Sequence, residues 1–177
     1  MRILIMATRL GAPATRLTTS LSDTGHDVVV VAPDGGDDEP VQDLPPIVPV
    51  RDRLAWVLQL NSALETRAAS LLRARPSDVI HAIGWDVAWA SIGASVVFGI
   101  PLVATPGDDQ PRRDLPGDHR RIAAEARAWL AREARATVPA RATARTAVAA
   151  YERAVVQTAR RRLRATTPPS EGAEHLA

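Results

Sequence analysis

Residues 3–6, Ile-Leu-Ile-Met, form a short unbroken apolar run of the kind a strand shows when both its faces are buried. The following stretch, APATRLTTSLSDTGH, changes period. Pro13 sits at a first-turn position, Leu17 and Leu21 stand one turn apart, and Gly25 falls just past the end, which together predict a helix. DVVVVAP (27–33) predicts a second strand, IVPV (47–50) a short third, and the acidic, Gly- and Pro-rich DGGDDEPVQDLPP between them a surface loop. From Leu54 to Leu72 the apolar residues Leu54, Val57, Leu58, Leu64, Ala68, Leu71 and Leu72 recur at helical spacing and mark one face of a long amphipathic helix. DVIHAI (78–83) then reads as a strand, WDVAWASIGASVVF (85–98) as a helix and PLVAT (101–105) as a strand. A helix over 119–135 turns Ile122, Ala126, Trp129 and Leu130 inward, and ATVPA (136–140) is a candidate sixth strand. The last helix, about 143–164, aligns Val148, Tyr151, Val155, Ala159 and Leu163 on one side and Arg153, Arg160, Arg161 and Arg164 on the other.

Alternation of strand and helix requires crossover connections, and so a parallel sheet with helices on both faces. The expectation is an α/β, Rossmann-like, doubly wound sheet of about five or six strands ending in a long helix, in one domain over residues 1–165. The segment 166–177, TTPPSEGAEHLA, offers no means of packing and is expected to be a disordered tail.

Composition narrows the chemistry. There is no cysteine, which excludes disulfides, thiol nucleophiles and thiolate metal sites and suits a reducing cytoplasm. Four scattered histidines argue against zinc. The opening MRILIMATRL, followed by GAP, reads as a strand rather than a signal peptide. Gly99, Ile100 and Pro101 divide the longest apolar segment, so no membrane span is expected. All 22 basic residues are arginine. Their distribution is uneven: residues 1–111 carry a balance of −5, residues 112–165 one of +9 and the remaining tail −2. The arginine-rich helices suit a solvated face or an anionic partner. An anionic membrane, met from the inner face of the bilayer, fits a basic amphipathic helix better than nucleic acid does, because the region holds only Trp129 and Tyr151 as aromatics and no reading motif.

Ligands in open parallel sheets bind at the carboxyl ends of the strands, which directs attention to four loops. In ATRLGAPA, Gly11 precedes a helix and Arg9 adds charge, a candidate phosphate contact or a plain tight turn; the single glycine excludes the usual dinucleotide and P-loop fingerprints. Asp34 ends the second strand, where a ribose-binding or a capping aspartate would sit. Asp37, Asp38, Glu39 and Asp43, like Asp108 and Asp109, read as hydrated loop acids before metal ligands. His81, at a strand end, is a candidate base or sugar-hydroxyl ligand, or a core-edge histidine bonded within the fold. Ile83 shares its strand face. Trp85 stacks on a ligand or caps the core. No spacing suggests a Ser-His-Asp set.

The order of MRILIMATRLGAPATRLTTSLSDTGHDVVVVAPDGG, SDVIHAIGWDVAWASIGASVVFGIPLVATPGD and ARATVPARATA resembles the N-terminal domain of family-four glycosyltransferases, retaining nucleotide-sugar enzymes of GT-B fold. The most telling parts are the Gly25-His26 turn into a valine strand and GIPLVAT (99–105), and the likeness spans roughly residues 1–150. It implies an acceptor-side domain. Its glycine loop after the first strand would place donor-phosphate contacts on Arg9 and Gly11, and its His-Ala-His-Asp-Trp stretch falls on His81, Ala82, Ile83, Gly84 and Trp85. That implies a catalytic role for His81 and substrate contacts at Trp85, Asp86 and Gly107. Ile83 replaces the second histidine, and Pro106-Gly107 stands where the family commonly has His-Gly. No cofactor is implied beyond a nucleotide-sugar co-substrate. A complete enzyme of this type is about twice as long, so the resemblance implies no transfer by this chain alone and a hexosyltransferase-type activity only with a donor-binding domain, from a partner subunit or within a homo-oligomer. A non-catalytic interaction module derived from such a domain is the alternative. The final helix, with AVAAYERAV, resembles the helix that in full-length relatives crosses back onto the first domain.

Overall fold

Among the described residues five strands form one parallel sheet: β1 (Arg2–Ala7), β2 (Asp27–Val31), β3 (Val79–Ile83), β4 (Leu102–Thr105) and β5 (Ala136–Thr137), in the order β2-β1-β3-β4-β5. The computed structural model describes residues 1–9, 11–33, 44, 47, 50–106 and 116–166. The strand order reverses between β1 and β3, which places the crevice of the doubly wound sheet at the carboxyl ends of those two strands. Register fixes what meets there, since Ala7 pairs with Ile83 and Ile83 with Thr105.

Strand alternation sorts the core into two layers. Leu4, Met6, Ile80, Ala82, Leu102 and Ala104 face helices α2 (Arg53–Ala74), α3 (Ala88–Phe98) and α4 (Gly117–Glu133). Ile3, Ile5, Ala7, Val79 and Val103 face α1 (Ala12–Asp23) and α5 (Ala144–Thr166). The sheet is thus covered on both sides, which is why its strands read as continuous apolar runs. Each fully buried Leu or Ile contributes about 1.5–3 kcal/mol.

Helix ends follow local chemistry. Pro13 opens α1, and Gly25, at φ +84°, turns the chain back into β2. Asp52 caps α2 by accepting from the Ala55 N–H at 2.8 Å. Gly99, at φ +63°, ends α3, and the Ser95 hydroxyl donates to the Ile100 carbonyl beyond it.

Three expectations need correction. On α2 the buried face is Val57, Leu60, Asn61, Leu64, Ala68 and Leu72, and Leu58 lies outside it, 54% exposed. On α5 burial ends at Ala154, so Ala159 and Leu163 are exposed despite their spacing. Of the expected third strand only Ile47 and Val50 are described, and neither is in a strand. ATVPA does yield a strand, the two-residue β5. The expected tail from 167 onward lies outside the described residues.

Candidate functional site at the carboxyl edge of the sheet

The turn after β3 is built around Gly84. Its φ of +96° excludes an ordinary L residue, and a Cβ there would stand 2.7 Å from Asp86 Oδ1. The glycine therefore lets a 3-10 turn, Trp85–Val87, fold the Asp86 carboxylate back over the strand end. Asp86 is 7% exposed. Its Oδ2 accepts from Arg53 Nη2 at 3.0 Å, and its side chain also bonds the Thr8 side chain at the end of β1. One carboxylate thus bridges both strands of the crevice and the first turn of α2. Burial raises its pKa above the usual carboxylate value, and Arg53, the backbone and Thr8 pull it partly back.

Asn61 holds this turn from beneath. Its Nδ2 donates to the carbonyls of Val57 and Asp86, at 2.8 and 2.7 Å, and its Oδ1 accepts from the Ala90 N–H at 2.9 Å. A buried amide is costly unless satisfied, and here three bonds fix α2, the 3-10 turn and α3 together. Arg53 stacks over the Trp56 ring, 4.3 Å from guanidinium carbon to centroid. His119, in the first turn of α4, brings Nε2 to 3.5 Å from Asp52 Oδ2. The first turns of α2 and α4 and the turn after β3 so place a carboxylate, a half-exposed guanidinium, an imidazole and the half-buried Trp56 and Trp85 around one edge. Such a set suits hydroxyl-bearing ligands, with the carboxylate accepting, the guanidinium donating and indole faces available for packing.

His81 lies elsewhere. It shares the face of Ile83, as its strand spacing requires, but that face points into the layer of α5, and the residue is completely buried. Nε2 is 2.8 Å from Thr105 Oγ1 and Nδ1 is 2.8 Å from the Tyr151 hydroxyl. The proton positions follow by elimination. The Thr105 hydroxyl donates to the Val138 carbonyl at 2.9 Å, which can only accept, so Thr105 accepts from His81 Nε2–H. Burial lowers the His81 pKa to about 4, so the ring is neutral and its Nδ1 accepts from Tyr151. The Tyr151 hydroxyl is pushed above its ordinary pKa by the same burial. This relay ties β3, β4, the chain after β5 and α5 together, the arrangement expected of a histidine bonded within the fold.

The other sequence-derived positions separate similarly. Gly11 precedes α1 in extended conformation, with its carbonyl accepting from Ala14 and Thr15, while Pro13 supplies no N–H. Arg9 is exposed. Trp85 packs half-buried against the α2–α4 layer, and Asp86 holds the Arg53 pair beside it. Gly107, Asp34, the loop acids 37–43 and Asp108–Asp109 lie outside the described residues. Among the described residues no group of three or more His, Asp or Glu could hold a metal ion. Arg53, Asn61, Thr8 and His119 were not singled out by the motifs. Asn61 alone left a signal: an amide set four residues after Val57 and three before Leu64, on the apolar stripe.

The sequence profile of glycosyltransferase family 4 matches residues 14–165. The chain belongs to glycosyltransferase family 4. Solved structures agree with this family-4 chain in fold at low identity. It is similar to MurG from Acinetobacter baumannii (18% identity, TM-score 0.53, covering 77% of this chain and 40% of that one). A putative UDP-N-acetylglucosamine 2-epimerase from Listeria monocytogenes has 15% identity and a TM-score of 0.57 over 78% and 39% of the two chains. Sucrose-phosphate synthase from Thermosynechococcus elongatus has 12% and 0.52 over 78% and 48%. The family-4 chain spans less than half the length of these proteins, as one Rossmann-like domain of GT-B type. No curated protein matches it in sequence.

Proposed function

We propose that this family-4 domain is the acceptor-side half of a nucleotide-sugar-dependent retaining glycosyltransferase, binding its acceptor at the carboxyl edge of the sheet and transferring only when a donor-binding domain closes over that edge. The observation that carries the reading is Asp86, bridged to Thr8 and Arg53 across the crevice where the strand order reverses. Its carboxylate and the half-exposed Arg53 supply opposite hydrogen-bonding roles beside two indoles, which suits a sugar or polyol hydroxyl. Transfer also needs a donor held against the acceptor and stabilisation of the leaving phosphate, tasks assigned to the second domain. In this reading His81 is a positioning residue beneath the crevice, and Arg9 and Gly11 lie at its rim, where donor phosphates would approach.

A thermal-shift screen tests the proposal. An acceptor glycan or glycolipid headgroup at a hundred times its Kd should stabilise the chain by about 2.7 kcal/mol, with nucleotide-sugars alone giving no comparable shift. Silence from every acceptor would favour a non-catalytic interaction module. One observation supports that second reading: His81 has both ring nitrogens engaged inside the fold and none turned to a ligand.

A further inference from the structure

Helix α5 is longer than the sheet it covers. Its buried residues, Ala144, Ala147, Ala150, Tyr151 and Ala154, fall in its first half, and from Val155 to Ala165 no residue is buried. At 1.5 Å per residue the outer part, Val155–Thr166, extends about 18 Å. It runs toward the amino edge of the sheet, where the Arg162 guanidinium donates to the Gly99 carbonyl between α3 and β4. That contact sets the ends of α3 and α5 side by side. Together they expose Val96 (73%), Val97 (71%), Val156 (48%) and Leu163 (68%). The same outer half of α5 carries Arg153, Arg160, Arg161, Arg162 and Arg164, with Arg153, Arg160 and Arg164 at helical spacing beside Val156 and Leu163, and residues 153–166 include no acid.

The combination selects among occupants. A second copy joined symmetrically through this same face would set arginines against arginines. Nucleic acid would satisfy the arginines but leave the aliphatics without benefit, and residues 153–166 offer no aromatic ring for base stacking. An anionic bilayer satisfies both, with guanidiniums at headgroup phosphates and short aliphatics at the acyl boundary. We propose that the projecting end of α5, with the last turn of α3, docks this domain on an anionic lipid surface. Among the described residues no helix is long and apolar enough to cross a membrane, so the contact is peripheral. The crevice lies at the opposite edge of the sheet and stays open when the domain is docked, which makes this inference independent of the acceptor reading.

Cosedimentation of the full chain with phosphatidylcholine vesicles, with and without phosphatidylglycerol, tests it. Binding is expected only with phosphatidylglycerol and should weaken as salt rises. Arg160→Gln with Arg161→Gln should weaken it on the order of 25-fold, from about fivefold per arginine. Val97→Ser with Leu163→Ser should weaken it as well, with unchanged circular-dichroism melts, because all four positions are exposed. Equal binding to neutral vesicles, indifference to salt, or tighter capture by duplex DNA than by the anionic vesicles would overturn the proposal. The salt titration and the DNA competition use the unaltered chain, so the test does not depend on how any variant folds.

Discussion

His81 and Gly84 lie within four residues of each other and do different work. His81 is neutral because burial holds its pKa near 4, against 6.5 when unfolded. Between those values the unfolded chain takes up a proton that the folded chain refuses, so the stability this residue contributes is present above pH 6.5 and is lost as pH falls toward 4. The stability gap between wild type and His81→Leu should therefore narrow by roughly 3 kcal/mol between pH 7 and pH 4. Urea melts at the two pH values measure it, and a constant gap would contradict the assigned neutral ring. Tyr151→Phe, which strands the Nδ1 acceptor, should cost about 1–3 kcal/mol at pH 7. Gly84→Ala acts on the crevice instead. It combines a forbidden φ with a contact on the Asp86 carboxylate, so it should cost on the order of 1–3 kcal/mol and also loosen the Arg53 pair, read as weaker acceptor binding.

At the scale of elements, only the inner half of α5 packs on the sheet. The inner half completes the layer of Leu17, Leu21, Val103 and Val138 through Ala147, Ala150, Tyr151 and Ala154. Deleting residues 143–165 should expose that layer, with dye binding and loss of the cooperative melt. Ending the chain after Gln157 should leave the melt within about 1 kcal/mol of wild type. Equal damage from both truncations would show that the projecting half also supports the core. The helices and strands β1–β4 are legible through their apolar period, because burial on two faces of a parallel sheet leaves unbroken runs, although IVPV carries a similar run and neither Ile47 nor Val50 is in a strand. The sequence did not reveal where α5 leaves the sheet, since Val155, Ala159 and Leu163 keep the same spacing past the edge. Nor did it separate Leu58 from Leu60: both are leucines near the stripe, and only the rotation of α2 against α3 decides between them.

At the scale of the molecule, the alternation of elements foretells a crevice at the strand-order reversal, and IHAIGWD ends there. His81 is bonded inside the fold, whereas Asp86, two residues past the glycine, pairs with Arg53 beside the crevice. Alternation along β3 sends position 81 toward α5, but the partner that fixes its protons, Tyr151, stands 70 residues away, beyond the reach of any local pattern. Arg53 was equally hidden, one more arginine at the start of a helix until the turn at Gly84 brought Asp86 to it.

The acceptor-side reading rests on where a ligand binds. At 19.0 kDa the chain suits amide NMR titration with an acceptor glycan, observed residue by residue. The largest perturbations are expected at Thr8, Arg53, Asn61 and Trp85–Asp86, lost in Arg53→Ala, with nucleotide-sugars alone leaving those amides unmoved. Perturbations confined to the groove of about 560 Å³ between α1 and residues 141–144, or a nucleotide-sugar binding the crevice as tightly as any acceptor, would contradict it.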